Sequence, residues 1–389
     1  MSKALRCISL ERFYFADMGK KKIAILANFP AWLISDKIPA NKGHYAVWLV
    51  SLYERFSKET IPYEIHWVSL IKGIKGILRM ESCGQNFHFI PCGSRLLAQR
   101  TGYIFDSLKL KRELNIIKPD LIHAWGTESC YAWAIRKLPQ PKILSMQGML
   151  TAYTQRAIMP PFQIRQAKLE KKTLPYFSII TAESEWGVDR AKELAPKVKT
   201  MLWEYAANEP FFHEERRIAE RPTCLLAGTN SLVKNVSCAI KAFSHPELRH
   251  ITLYLAGVSA DEYCDLPSNI IPLGRVSRDE IKRLLSETWC LVHPSLADTC
   301  PNIVKEARVM GIPSIVTTEC GAKQYVVHEK SGYVIPCDNV QSLVNAVLKV
   351  TKTAETSLSM GSYDQERCRR ALSADTMYTS LMQIYENLL

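Results

Sequence analysis

Residues 290–317 read CLVHPSLADTCPNIVKEARVMGIPSIVT. A short apolar run, CLVHPS, leads into a loop, then a segment of helical spacing, NIVKEARVM, then a second apolar run, PSIVT. Strands that alternate with helices imply a parallel sheet covered on both faces. The alternation extends outward in both directions. Downstream come the strand GYVIP and the helix NVQSLVNAVLKVT. Upstream come the strand TCLLAGT, the helix NVSCAIKAFSH, the strands ITLYLAG and NIIPLGR, and the helix SRDEIKRLLSE. An earlier series repeats the pattern with the strands KIAILANFP, YEIHWVSL, NFHFIPC, DLIHAWG, KILSMQG and FSIITAES. Its helices cover GHYAVWLVSLYERFSKE, RTGYIFDSLKLKRELNIIKPD, ESCYAWAIRKL and a basic stretch over 162–174.

The charged segment NEPFFHEERRIAERP separates the two series. The fold class is therefore α/β, with two Rossmann-like, doubly wound domains facing across a cleft. Residues 20–205 form the first domain, 206–221 a linker and 222–370 the second domain. A helix within 371–389 is expected to pack back across the junction. Residues 1–19 are expected to be an extension: MSKALRCISLERFYFADM lacks the apolar core and cleavage site of a secretory signal. It reads as a mobile segment or a misplaced start, and protection from limited proteolysis would count against that. Ligands of open parallel sheets bind beyond the carboxyl ends of the strands, so the site is expected in the cleft.

Composition narrows the function classes. The nearest approach to a membrane-spanning run is Ile23 to Ile34, which Asn28 and Pro30 interrupt well short of the ~20 apolar residues a span needs. The twelve cysteines contain no C-x-x-C and no zinc-like Cys/His spacing. They read as free thiols in a reducing cytosol. Residues 1–200 hold 31 Lys and Arg against 16 Asp and Glu, an excess of +15, whereas the remainder holds 19 against 22, or −3. A basic N-terminal half points to an acidic partner such as an anionic membrane, a phosphorylated acceptor or nucleic acid. A plain solvated surface is the competing reading.

The opening stretch also carries chemistry. Asp298 stands in the loop after a buried strand, and Pro301 suits the first turn of the following helix. The amides of Asn302 and Ile303 then face outward at the positive end of the helix dipole, an anion socket. Glu306, a turn further in, could accept two hydrogen bonds from a ribose diol, and Asp298 could hold hydroxyls of a second sugar. This order describes a nucleotide-sugar site. For the acids alone, a dipole-favoured helix residue and an ordinary loop residue remain the alternative. Lys234, at a loop-to-helix transition after TCLLAGT, is a plausible diphosphate partner or a solvated lysine.

Together these segments resemble the retaining family-4 glycosyltransferases of GT-B fold, in a bacterial polysaccharide-type branch. The likeness runs through GTNSLVKNVSCAIKAF, YLAGVSADEY and residues 270–339. It implies that the family's E-x7-E pair falls on Asp298 and Glu306, with Asp in place of the first Glu. It places the family's diphosphate-binding Arg and Lys on Thr229 and Lys234, so that Lys234 and the helix amides carry more of the charge. Gly43 and His44 resemble the glycine-rich loop near the phosphate. In IHAWGTE, residues 122–128, the second His of the family's His-x-His is Trp125. Trp125, Thr127, Glu128, Gln147 and Glu185 are implied to line the cleft. His123 is either a cleft residue or a core histidine.

The resemblance implies transfer of a sugar from a UDP- or GDP-sugar with retention, by front-face attack in which the leaving diphosphate takes the acceptor proton. No D-x-D motif occurs in a suitable loop, so no metal and no essential cofactor are expected. The expected acceptor is a glycan or a lipid-diphosphate-linked glycan, with cytoplasmic localisation and peripheral binding at the inner membrane face. The basic groups expected to serve that binding are Lys109, Lys111 and Arg112; Arg165, Lys168, Lys171 and Lys172; and the loop residues Lys72, Lys75 and Arg79. The rivals are a nucleotide-sugar epimerase, which would turn over donor without acceptor, a glycan phosphorylase, a non-catalytic nucleotide-sugar binder, and a nucleic-acid-binding protein, which would leave the acid pair unexplained.

Overall fold

A computed structural model describes residues 19–36, 38, 46–229, 231–263 and 265–389, with the side chain of Arg95 also undescribed. Residues 1–18 of the expected extension 1–19, together with Gly43 and His44, lie outside the described residues. The chain forms two sheets. The first comprises β1 (Lys21–Leu26), β2 (Tyr63–Lys72), β3 (Leu78–Ser82), β4 (Gln85–Cys92), β5 (Leu121–Trp125), β6 (Lys142–Met146), β7 (Ile179–Ala182) and β8 (Lys199–Leu202). Its order is β3-β4-β2-β1-β5-β6-β7-β8, parallel except that β3 runs antiparallel to β4. The second comprises β9 (Thr223–Ala227), β10 (Thr252–Ala256), β11 (Ile270–Gly274), β12 (Cys290–His293), β13 (Ser314–Thr317) and β14 (Gly332–Ile335). It is wholly parallel in the order β11-β10-β9-β12-β13-β14. Central strands such as β1 and β12 are buried on both faces, which is why they read as continuous apolar runs.

β3 was not expected. Its residues alternate between half-buried and exposed, the pattern of an edge strand with one wet face. It also corrects the reading of Lys72 and Arg79 as loop residues. Lys72 ends β2, and Arg79 makes a two-pronged ion pair with buried Glu113 at 2.6 and 2.8 Å. Arg79 is thus committed within the domain rather than offered to a partner.

The segment between the domains is fastened down. Ala206 belongs to the first domain's core, while Ala207 and Phe211 belong to the second's. The Arg216 guanidinium donates to the carbonyls of Thr288 at 2.8 Å and Gly311 at 3.1 Å. The chain returns beside this crossing, where the Ala207 amide donates to the Leu372 carbonyl at 2.9 Å. The last helix, Ala374–Glu386, is capped by Ser373 and lies on the first domain. It buries Met377, Leu381, Ile384 and Tyr385 among Ile23, Ile65 and Trp67. Leu381→Ala leaves a cavity there, and we expect a loss of about 2–5 kcal/mol, read as a lower urea midpoint with unchanged slope. An unshifted midpoint would detach this helix from the core.

Candidate functional site

The site is built where β12 ends. His293 closes the strand, the next loop carries Asp298, and Pro301 caps the helix Asn302–Val309. Pro301 is the cap rather than a first-turn residue, and its carbonyl accepts the Val304 amide at 3.1 Å. The Asp298 backbone is pinned on both sides. Its amide donates to the Glu319 carbonyl at 3.1 Å, and its own carbonyl accepts the Gly321 amide at 2.8 Å. The two loops touch so closely that a Cβ at residue 321 would fall 1.7 Å from the Thr299 carbonyl oxygen, which requires glycine there.

Asp298 is 8% exposed, and its Oδ2 meets both the Lys234 ammonium and His293 Nε2, the latter at 2.9 Å. Burial pushes its pKa up, but the Lys234 charge and His293 outweigh that and hold the carboxyl well below the ordinary carboxylate range. Burial lowers the pKa of His293. An ionised carboxylate only accepts hydrogen bonds, so the neutral imidazole carries its hydrogen on Nε2. Glu306 is 1% exposed. Its Oε1 is paired with Arg278, while its Oε2 is buried with no hydrogen-bond partner among the described residues. Burial raises its pKa against the opposing Arg278 charge. The amides of Asn302 and Ile303, first in the helix, also find no partner among the described residues. Thr229 stands exposed in the loop after β9.

The neighbouring Lys305 crosses to the other domain. Its Nζ lies 2.9 Å from Glu183 Oε2 and donates to the Tyr205 carbonyl at 3.2 Å. Burial works against the ammonium, yet Glu183 keeps it charged. Further ties cross the same junction: the Ser184 hydroxyl donates to the Thr299 carbonyl at 2.5 Å, and the Trp186 indole to Glu319 at 3.0 Å.

The first domain opposes this surface with a cavity of about 620 Å³ at the carboxyl ends of its strands, lined by Trp48, Tyr103, Trp125, Glu128, Gln147 and Tyr153 among others. The Tyr153 and Thr299 hydroxyls are 2.8 Å apart, so the cavity wall touches the residue next to Asp298. A larger void, about 750 Å³, is lined by none of these groups. Glu128 accepts the Gly148 amide at 2.5 Å. A Cβ at Gly126 or Gly148 would come within 2.2 or 2.5 Å of its oxygens, so the two glycines make room for the carboxylate. Burial, with Glu170 adding to it, raises the Glu128 pKa to about 7.

That shift predicts a pH dependence. Unfolded, the group titrates near about 4.3. The folded chain keeps the extra proton up to about pH 7, so this stabilisation is full below the unfolded value and is lost as pH rises through 7. Glu128→Gln should abolish roughly 1–3 kcal/mol of the stability difference between about pH 5 and about pH 8, measured by urea unfolding. An unchanged slope in that variant would contradict the assignment.

Two expected cleft residues, Thr127 and Glu185, are corrected, and the open reading of His123 is resolved. His123 lies in the core: its Nδ1 is 2.8 Å from the Tyr385 hydroxyl and its Nε2 is 2.6 Å from Ser145 Oγ. Burial lowers its pKa to about 3, so it is neutral. Thr127 turns away from the cavity and donates to Glu170 at 2.6 Å. Glu185 is exposed and only its amide reaches across, to Gln324 at 2.9 Å; the buried acid of that segment is Glu183. Sequence reasoning missed His293, Arg278 and the Lys305–Glu183 pair. Ser277 announces the helix that Arg278 begins, but nothing local says which carboxylate Arg278 meets.

Two domains of parallel sheet with a site between their carboxyl edges define the GT-B class. The fold matches sucrose-phosphate synthase from Thermosynechococcus elongatus with TM-score 0.75 at 15% identity, covering 95% of this chain and 99% of that one. It also matches Anabaena HepE, solved with UDP and glucose, with TM-score 0.68 at 14% identity over 95% and 100%. Residues 208–367 match the family of glycosyl transferases group 1. A stretch of 74 residues is 32% identical to UDP-Gal:alpha-D-GlcNAc-diphosphoundecaprenol alpha-1,3-galactosyltransferase of Escherichia coli, spanning 19% of each protein.

Proposed function

We propose that the chain is a retaining glycosyltransferase that moves a sugar from a nucleoside-diphosphate sugar to a glycan or lipid-linked acceptor in cell-surface polysaccharide synthesis. The observation that carries this reading is the buried Oε2 of Glu306, which like the two amides one turn ahead of it has no hydrogen-bond partner among the described residues, on the helix that follows the Asp298 loop. Buried acceptors normally have partners, and a ribose diol supplies a donor to the oxygen that lacks one and a second to the carboxylate's remaining lone pairs. The diphosphate would sit at the Asn302 and Ile303 amides, sharing the Lys234 ammonium with Asp298, which in turn faces the donor sugar. The bond from the anomeric carbon to the diphosphate breaks and the acceptor oxygen bonds on the same face. The acceptor proton passes to a diphosphate oxygen. The chain's contribution is charge stabilisation on the departing diphosphate.

The UDP and glucose in Anabaena HepE and the lipid-diphosphate acceptor in the name of the E. coli relative support this substrate class. Lys234 and the amides supply the positive potential that a divalent cation would otherwise provide. We therefore expect full activity in EDTA; activity abolished by EDTA and restored by magnesium would refute this. The reading as a whole is tested by titrating the chain with UDP-, GDP- and ADP-sugars and following hydrolysis. One donor should bind and turn over slowly; no binding by any of them would overturn it.

A further inference from the structure

The helix Asn302–Val309 carries three charged side chains that water does not reach: Lys305, Glu306 and Arg308 are 0%, 1% and 0% exposed. Two of them find their partners inside the second domain. Glu306 meets Arg278, and the Arg308 guanidinium donates to the carbonyls of Ile312, Tyr325, Gly361 and Tyr363 at 2.7 to 3.1 Å. The third, Lys305, reaches the first domain, where Glu183 and the Tyr205 carbonyl receive it. Glu183 is 6% exposed, and its carboxylate has no other side-chain partner among the described residues.

Such a pair adds little to stability, because taking two charges out of water largely offsets their attraction. What it adds is geometry. Apolar contacts are non-directional and tolerate sliding, whereas this ammonium meets a carboxylate oxygen at 2.9 Å and a carbonyl at 3.2 Å at once. A shifted domain would leave both charges buried and unpaired. Consecutive residues leave a helix about 100° apart. Lys305 therefore ties one side of the helix to the first domain while Glu306 faces another way. Two backbone amides cross the junction in the same register. The Thr299 amide donates to the Tyr153 hydroxyl at 3.3 Å, and the Glu185 amide to Gln324 Oε1 at 2.9 Å.

We propose that Lys305 and Glu183 are positioning residues, whose buried ion pair fixes the register of the first domain over the donor site. The effect on turnover rests on the glycosyltransferase reading; the register itself does not.

The test compares two variants of the full chain, Lys305→Met and Lys305→Met with Glu183→Leu. The single variant strands a buried carboxylate and should lower the urea midpoint. The double variant puts apolar groups of similar size in place of the pair and should restore the midpoint. Turnover should not return with it. Its kcat for UDP-glucose hydrolysis should stay about 10- to 100-fold low, the usual effect of a displacement near about 1 Å. The UDP dissociation constant should stay within about 2-fold of wild type, because the donor contacts lie in the second domain. A merely structural pair would restore midpoint and kcat together. Hydrogen exchange reads the register without catalysis: the Glu185 and Thr299 amides should exchange at least about 10-fold faster in the double variant. Wild-type kcat or wild-type exchange in the folded double variant would overturn the proposal. So would UDP binding weakened more than about 10-fold, which places Lys305 in the donor site itself. Faster exchange of these amides in a chain whose wild type binds no nucleotide sugar would uphold the register and overturn the glycosyltransferase reading, so the two failures are distinguishable.

Discussion

Glu306→Gln should cut kcat/KM for the donor sugar by roughly 10- to 1,000-fold, the loss of a charged pair of hydrogen bonds to the ribose together with the Arg278 partnership. The carboxylate is 1% exposed, with one oxygen held by Arg278 and the other empty-handed. Glutamine keeps the shape but presents a single acceptor and no charge, so both the ligand and Arg278 lose. If the interaction is made equally in the ground and transition states, the loss falls on KM; if it tightens during reaction, it falls on kcat. The unfolding midpoint of the variant separates this from a folding defect. Wild-type kinetics in a folded Glu306→Gln protein would remove Glu306 from the site.

Lys234→Ala should lower kcat by about 100- to 1,000-fold, the usual consequence of deleting one donor that stabilises developing negative charge. The lysine is only partly buried and closes the turn Leu232–Lys234, whose next residue, Asn235, adopts φ 53° before the following helix. Backbone geometry therefore sets where its side chain starts, and the contact with Asp298 holds its ammonium. Removing it also takes away the charge that lowers the Asp298 pKa, so that pKa should rise and the stability contributed by the ionised carboxylate, full above about pH 4, should shrink at neutral pH. Lys234→Arg keeps the charge in a different shape and should recover part of the rate. Equal activities of the alanine and wild-type proteins would place the diphosphate elsewhere.

The two sheets were readable because buried parallel strands such as Thr223–Ala227 and Ser314–Thr317 are apolar throughout, and helices begin at caps such as Ser277 and Ser373. β3 escaped because an edge strand half in water carries no such run. Asp298, Pro301, Asn302 and Glu306 were readable as a unit because one loop and one helix turn carry them all. Their partners were not. Arg278 lies 28 residues from Glu306, and Glu183 lies 122 from Lys305; only the packing of separate elements unites them. His123 shows the same limit from the other side. Tyr385, which secures it in the core, is 262 residues away on the last helix, so the local motif left the cleft open beside the core.

The central claim is that a nucleoside diphosphate lies at the start of the helix Asn302–Val309 with its ribose on Glu306. The most direct measurement is a crystal structure of the chain with UDP bound. The account predicts diphosphate oxygens within hydrogen-bond reach of the Asn302 and Ile303 amides and both ribose hydroxyls on the Glu306 carboxylate, with Lys234 turned to the phosphate. UDP seated in the separate void beside Arg55 and Arg369, or anywhere that leaves the Glu306 carboxylate untouched, would contradict it.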